Sequence, residues 1–148
     1  MGNDVKRLMG LDFGSKTVGV ALSDPLFLAA EPLEIIRREH PSKLRRTYAR
    51  IEEIITEKNV GKIILGNPLM PSGDEGERAL LTAEFAEGLR RRTGLEVIME
   101  DETLTTVEAD EIMDERGIPK SEHKKYVDMI AAQLILDSYM NREKYGKQ

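Results

Sequence analysis

Apolar residues recur along this chain at two spacings, and the changes between them lay out its elements. Leu8 to Phe13 is a short apolar run of strand length, and Thr17 to Leu22 alternates like a second strand. Gly14 and Ser15 lie between them, which predicts an antiparallel hairpin with Gly14 available for the positive φ of a tight turn. L-E-I-I-R at 33–37 is a third strand. After Pro41 the spacing changes, and Leu44, Tyr48, Ile51, Ile54 and Ile55 mark one face of a helix. K-I-I-L-G at 62–66 returns to strand character, bounded by Gly61 and Gly66. The stretch G-N-P-L-M-P-S-G-D-E-G that follows is a loop by its prolines and glycines. Next comes a helix with Leu80, Leu81, Phe85 and Leu89 as its apolar set and Gly94 as its stop. E-V-I-M-E-D at 96–101 is the fifth strand. Thr105 and Glu108 make a capping box for a helix ending near Gly117, and the last helix runs from about Ser121 to Asn141.

The order is therefore β-β-β-α-β-α-β-α-α. Strands joined by short turns are antiparallel neighbours, whereas strands reached through a helix imply parallel crossovers. A mixed five-stranded sheet with helices on both faces follows, an α/β arrangement of the ribonuclease H-like kind. Residues 1–148 are expected to form one such domain, with 1–7 and 142–148 loose at its ends; the length suits a single core.

Composition narrows the chemistry. An apolar content of 40% beside 33% charged residues indicates a soluble globular chain rather than a disordered one. No apolar run approaches the roughly 20 residues that cross a bilayer, and no signal-peptide pattern precedes the first strand, so no membrane partner is expected. There is no cysteine, which excludes disulfides, thiolate metal sites and cysteine nucleophiles and fits a reducing cytoplasm. The net charge of −5 argues against a basic nucleic-acid surface taken as a whole. Basic residues nevertheless cluster: Arg37, Arg38, Lys43, Arg45, Arg46 and Arg50 in one group, Arg90 to Arg92 in a second, and Lys120, His123, Lys124 and Lys125 in a third. Each cluster alone is equally a solvated helix face.

One acidic residue stands where an apolar one belongs. Asp12 interrupts the first strand, and a buried carboxylate is costly without a positive partner. Asp101 and Glu102 end the fifth strand. In the last helix Val127, Ile130, Ala131, Leu134 and Ile135 form an apolar stripe, with Asp128 on its edge beside Ala131 and Ala132 and Asp137 on the opposite edge. Small alanines allow that helix to approach the sheet and bring Asp128 towards Asp12. Carboxylates converging in this way repel one another unless a hard divalent cation, Mg²⁺ or Mn²⁺, is held between them. Two such ions suit phosphodiester cleavage. The alternative for Asp12 is an acceptor for turn amides. The 66–76 loop, with Gly66, Gly73 and Gly76, reads either as a phosphate cradle ahead of a helix or as a loop of turn residues; it is no Walker A motif. Lys16 and Arg78 are candidate phosphate contacts, or simply solvated. His40 and His123 are isolated, and the methionines read as core or loop filler.

Four segments in order carry a resemblance: G-L-D-F-G-S-K-T-V-G-V-A-L-S-D, G-N-P-L-M-P-S-G-D-E-G-E-R-A, D-E-T-L-T-T and K-K-Y-V-D-M-I-A-A-Q-L-I-L. Together they resemble the signature segments of the YqgF family, the Holliday-junction-resolvase-like proteins associated with pre-16S rRNA processing. The resemblance covers the chain from about Leu8 to Tyr139. It implies a ribonuclease H-like nuclease of the bacterial cytoplasm that trims the 5′ end of the small-subunit rRNA precursor, with structured RNA or branched DNA, and ribosomal particles, as partners. It also implies a monomer or homodimer. Position by position, Asp12, Glu102 and Asp128 match the family's catalytic and metal-binding carboxylates, with Asp101 the alternative to Glu102. Strand alternation points only one of that pair into the site, and Glu102 is favoured. Two departures stand out: Thr103 occupies a position where the family commonly has arginine, and Asn67 and Pro71 lie in a variable part of the loop.

Three rival functions remain open on the residues. A four-way DNA junction resolvase would use the same carboxylates. A phosphotransferase is the second, since L-D-F-G-S resembles the first phosphate motif of the actin and sugar-kinase ATPases, although those pair two such domains. A non-catalytic RNA-binding assembly factor is the third.

Overall fold

The computed structural model describes residues 6–68, 75–102 and 106–145. Five strands form one mixed sheet: β1 (Arg7–Phe13), β2 (Thr17–Ser23), β3 (Ala30–Arg37), β4 (Val60–Pro68) and β5 (Glu96–Glu102), in the order β3-β2-β1-β4-β5. β1–β2 and β2–β3 pair antiparallel, and β1–β4 and β4–β5 pair parallel, as the short and helical connections predict. The helices are α1 (Arg45–Lys58), α2 (Glu75–Thr93), α3 (Thr106–Glu115) and α4 (His123–Tyr145). A short 3₁₀ turn, Lys120–Glu122, leads into α4 where the sequence predicts continuous helix. Among the described residues no helix is long and apolar enough to cross a membrane.

Alternation along the strands sorts the side chains onto two faces. Met9, Leu11, Val18, Val20, Ile63, Leu65 and Val97 point to one, where Ile51 and Ile54 of α1 and Phe85, Ala86 and Leu89 of α2 close the larger core. Ala21 and Ile64 point to the other, under Ala132, Ile135, Leu136 and Tyr139 of α4. A third cluster joins Ala109 and Met113 of α3 to Ile130 of α4. The stripe expected on α4 thus divides in two: Ile135, joined by Ala132 from outside the stripe, meets the sheet, while Ile130, Val127 and Leu134 meet α3. On α2, Leu80 and Leu81 are 60% and 50% exposed, contrary to expectation. The buried face of α2 runs instead through Thr82, Phe85, Ala86 and Leu89. Thr82 can lie there because its hydroxyl donates to the Arg78 carbonyl at 2.9 Å. The predicted stops hold: Gly94 and Gly117 take φ of 71° and 75° beyond the ends of α2 and α3. The predicted capping residue Thr105 and the departure Thr103 lie outside the described residues.

Two strand glycines set how close α4 comes. A β-carbon at Gly10 would lie 2.7 Å from the Ala132 carbonyl oxygen, and one at Gly19 would lie 2.0 Å from that of Asp128. The helix backbone therefore rests on the β1–β2 backbone, and Gly10 and Gly19 matter as much to this approach as the helix alanines. At the helix start, His123 places both ring nitrogens on acceptors, Nδ1 at 2.8 Å from Asp110 Oδ1 and Nε2 at 2.9 Å from the Ile118 carbonyl. Only the imidazolium has a proton for each, and the Asp110 contact, chiefly, lifts the His123 pKa above its usual value. His123, without a role in the sequence reading, anchors the start of α4.

Two outcomes follow from these contacts. Gly19→Ala should destabilise the fold by about 3 kcal/mol, because the helix backbone that it meets has no flexible end to yield; denaturant unfolding reads the loss as a lower midpoint. The stability that His123 contributes is complete below its unfolded pKa near 6.5 and is lost as pH rises through the raised folded value. Unfolding midpoints should therefore fall above that pH in the native chain, with the decline reduced in His123→Gln.

Candidate active site

Asp12 lies one residue before the end of β1 on the face that α4 covers, in alternation with Gly10. Parallel pairing brings the ends of β4 and β5 to the same edge of the sheet, with Gly66 beside Glu100 and Pro68 beside Glu102. Glu102 belongs to the same face, and its Oε2 would stand 3.2 Å from a β-carbon at Gly66. Gly66 therefore sits inside β4, and its missing side chain leaves room for Glu102 and for Ile135 of α4. The Asp12 and Glu102 carboxyl groups come within hydrogen-bonding reach of each other. Asp101 points the other way: it is exposed and accepts a hydrogen bond from Asn67 Nδ2 at 3.1 Å. Strand alternation thus selects Glu102.

Asp128 reaches the same edge from α4, and its Oδ2 accepts a hydrogen bond from the Thr17 hydroxyl at 2.6 Å. Thr17 opens β2, so this bond ties the helix to the hairpin beside the carboxylates. The sequence offers no sign of it, because the two residues are 111 positions apart. The hairpin turn does not draw on Asp12. Its Gly14 amide donates to the Thr17 carbonyl at 2.7 Å, and Arg38 Nη2 donates to the carbonyls of Gly14 and Ser15 at 2.7 and 2.8 Å. Gly14 is not among the positive-φ glycines, so its expected conformational role is not used. Its hydrogen instead gives Thr17 room, since a β-carbon there would lie 3.0 Å from the hydroxyl.

The electrostatics follow from this crowding. Asp12 is 7% exposed, and burial first, then the charges of Glu102 and Asp128, push its pKa well above the usual carboxylate value. Glu102 is raised too, mainly by burial, with Asp128 adding to the rise. Arg78, on α2, lowers both. It is the one described arginine whose charge the pair is seen to feel, and it moderates the repulsion without removing it. Of the other expected contacts, Lys16 stands exposed on the hairpin turn, Gly76 stands exposed in the first turn of α2, and Gly73 lies outside the described residues.

Three oxygen-donor side chains of like charge with no histidine among them suit a hard divalent cation. Among the described residues no three acidic or imidazole groups form a ready-made ion cage. The arrangement is a close Asp12–Glu102 pair with Asp128 alongside, held by Thr17. Its donor chemistry and its uncompensated negative charge fit Mg²⁺ or Mn²⁺, and Asp12, Glu102 and Asp128 are the residues that would hold it. A second buried carboxylate on this face, Glu100, is 6% exposed and fully engaged, accepting from Ser138 at 2.9 Å and pairing with Arg142. Asp137 accepts from the Ala30 backbone and lies away from this cluster.

Known proteins share this chain's fold and much of its sequence. A protein-family model described as RuvX, Holliday junction resolvase, matches residues 6–142. A protein of Agathobacter rectalis named "Putative pre-16S rRNA nuclease" is 57% identical over 91% of this chain and 94% of its own. A Lachnospira eligens protein of the same name is 54% identical over 90% and 96%. Among solved structures, T. thermophilus RuvC in complex with a Holliday junction substrate superposes with a TM-score of 0.58 at 15% identity, over 93% of this chain and 96% of that one. The fowlpox virus Holliday junction resolvase gives 0.52 at 18%, over 91% and 98%. These similarities establish the ribonuclease H-like fold.

Asp12→Asn removes a buried charge that its neighbours oppose. Without metal the variant should unfold at a higher temperature than the native chain at neutral pH. Mg²⁺ or Mn²⁺ should then raise the native midpoint and leave that of the variant nearly unchanged. Thermal unfolding in chelator and in each ion reads both effects.

Proposed function

We propose that this chain, which belongs to the RuvX family of Holliday junction resolvases, is a divalent-metal-dependent endonuclease that processes the 5′ end of the small-subunit ribosomal RNA precursor in the cytoplasm. Membership of that family makes it a nuclease; the metal, the RNA and the end that is cut are our reading. The observation that carries it is the convergence of Asp12, Glu102 and Asp128 at one edge of the sheet. Burial first, and then the charges of the neighbouring carboxylates, raise the Asp12 and Glu102 pKa values, and Arg78 acts against the rise in both. When bound, divalent ions activate a water and stabilise the leaving oxygen of a phosphodiester.

The chain's own residues set up that chemistry. Asp12 and Glu102 both have pKa values raised above the usual carboxylate range, and a cation would be held by their ionised forms, so binding should be weaker at low pH. Thr17 fixes the Asp128 carboxylate in one orientation. Arg78 and Lys16 carry positive charge at the same end of the sheet and would meet the phosphates flanking the cut. We read residues 1–148 as one nuclease domain. RNA is favoured as substrate because the relatives sharing more than half of their residues with this chain are named for pre-16S rRNA. A second reading, cleavage of four-way DNA junctions, is favoured by the description of the family model.

A 5′-extended small-subunit rRNA precursor and, separately, a four-way DNA junction distinguish the two, each incubated with Mg²⁺, Mn²⁺ or EDTA. Cleavage of the RNA with metal, absent in EDTA and reduced by about 100-fold or more in Asp12→Asn, is the expected result. Cleavage of the junction alone would transfer the function to DNA. Binding without cutting in either would leave an assembly factor.

A further inference from the structure

The end of β1 divides two environments. Asp12 faces α4, and the next residue, Phe13, faces the opposite side of the sheet, where a cavity of about 780 Å³ opens between the first turns of α1, the loop before it, and α2. Its walls include Phe13, Arg38, Tyr48, Arg78, Leu81 and Phe85. Arg78 is shared: it lines this cavity, and its charge acts on Asp12 and Glu102 on the other side. The cavity and the carboxylates thus open at the same end of the sheet. A chain of phosphates crossing that end passes both.

The cavity has a definite chemistry. Phe13 stacks on Phe85 with ring centroids 4.2 Å apart, and Phe85 stacks on Tyr48 at 5.3 Å. The Arg38 guanidinium covers Phe13 at 5.0 Å. Nη2 of that guanidinium holds the Gly14 and Ser15 carbonyls, and Nε holds Pro41. Nη1 is buried with no acceptor. A fixed planar cation over an aromatic stack, lining the cavity, suits a second planar group. Leu81, half exposed on α2, offers apolar surface to the same space. Glu77 and Glu84 also line it; they disfavour a phosphate and accept hydrogen bonds from amino groups. Apolar walls, a guanidinium plane and flanking acceptors together describe a nucleobase rather than its phosphate.

We propose that this cavity receives one unstacked base of the nucleic-acid strand whose backbone lies at Asp12, Glu102 and Asp128. The inference rests on the nuclease reading of those carboxylates and adds to it the part of the substrate that is held. The base sits against the Arg38 guanidinium and Leu81. A requirement for an unstacked base selects single-stranded or distorted segments over continuous duplex, since extruding a base from an intact stack is unfavourable.

The test is binding in EDTA, where no strand is cut. A short single-stranded RNA carrying 2-aminopurine reports base environment by its emission, and an abasic RNA of equal length supplies the backbone alone. The native chain should change the 2-aminopurine emission and bind the base-bearing RNA about tenfold more tightly than the abasic one. Ser42→Trp and Leu81→Trp fill the cavity from opposite walls at exposed positions. Each, with a native circular dichroism spectrum, should reduce that ratio to below about twofold. Equal affinity for the two RNAs, unchanged emission, or a ratio that survives both tryptophans would overturn the proposal. Base-dependent binding with no cleavage in either metal would overturn the nuclease reading alone, and metal-dependent cleavage by a chain indifferent to the base would overturn the pocket alone.

Discussion

The backbone of α4 rests directly on the backbone of the first hairpin, and the site is built around that contact. With β-carbons at Gly10 and Gly19 the helix would stand further from the sheet, because the Ala132 and Asp128 carbonyls occupy the space they need. Only at this distance does the Thr17 hydroxyl reach the Asp128 carboxylate. The same seating places Ile135 over Gly66, whose missing side chain leaves Glu102 free to turn towards Asp12. Three carboxylates from β1, β5 and α4 are thus brought together by three strand glycines. His123 and the Arg142–Glu100 pair anchor the helix towards its two ends.

Bringing like charges together opposes folding, and the structure shows where the opposition is tolerated. Asp12 and Glu102 are both displaced towards the protonated form, with a single arginine in moderation. By contrast, Glu100, two residues before Glu102 on the same face, has a hydroxyl and a guanidinium and needs nothing further. The two carboxylates differ in their neighbours rather than in their burial alone. Asp12 lacks the partners that Glu100 has, and that difference supports the role proposed for it.

How far this was legible in the sequence varies with the range of each interaction. Asp12 stands out because a carboxylate breaks an apolar run, and the strand directions follow from connection lengths. The choice of Glu102 over Asp101 needed only alternation along β5. The Thr17–Asp128 bond and the Glu100–Arg142 pair join residues 111 and 42 positions apart, and no local pattern announces them. The glycines at 10 and 19 were visible but read as strand residues, since their meaning lies in a helix that crosses them. Leu80 and Leu81 misled for the converse reason. Helical spacing recorded them as apolar without saying which apolar stripe meets the core, and Thr82, satisfied by its own helix, took the buried place. Much of the basic clustering was likewise spent on structure: Arg50 binds Glu34 through two nitrogens, Arg92 binds Glu52, and Arg90 binds Glu87 and the Val97 carbonyl.

The basic groups that remain at the carboxylate end, Lys16, Arg38 and Arg78, explain how an acidic chain can still engage a polyanion. Net charge averages over the whole surface, whereas association depends on the field where the strand lies. There the chain places cations on both sides of the β1 tip and keeps its uncompensated acids under α4. Because adjacent strand residues face opposite ways, Asp12 and Phe13 commit the two sides of one strand end to different tasks, charge on one and aromatic surface on the other. Arg78 spans the edge between them. The period of a β-strand, and not any added element, is what sets a carboxylate face beside an aromatic face in a chain of this size.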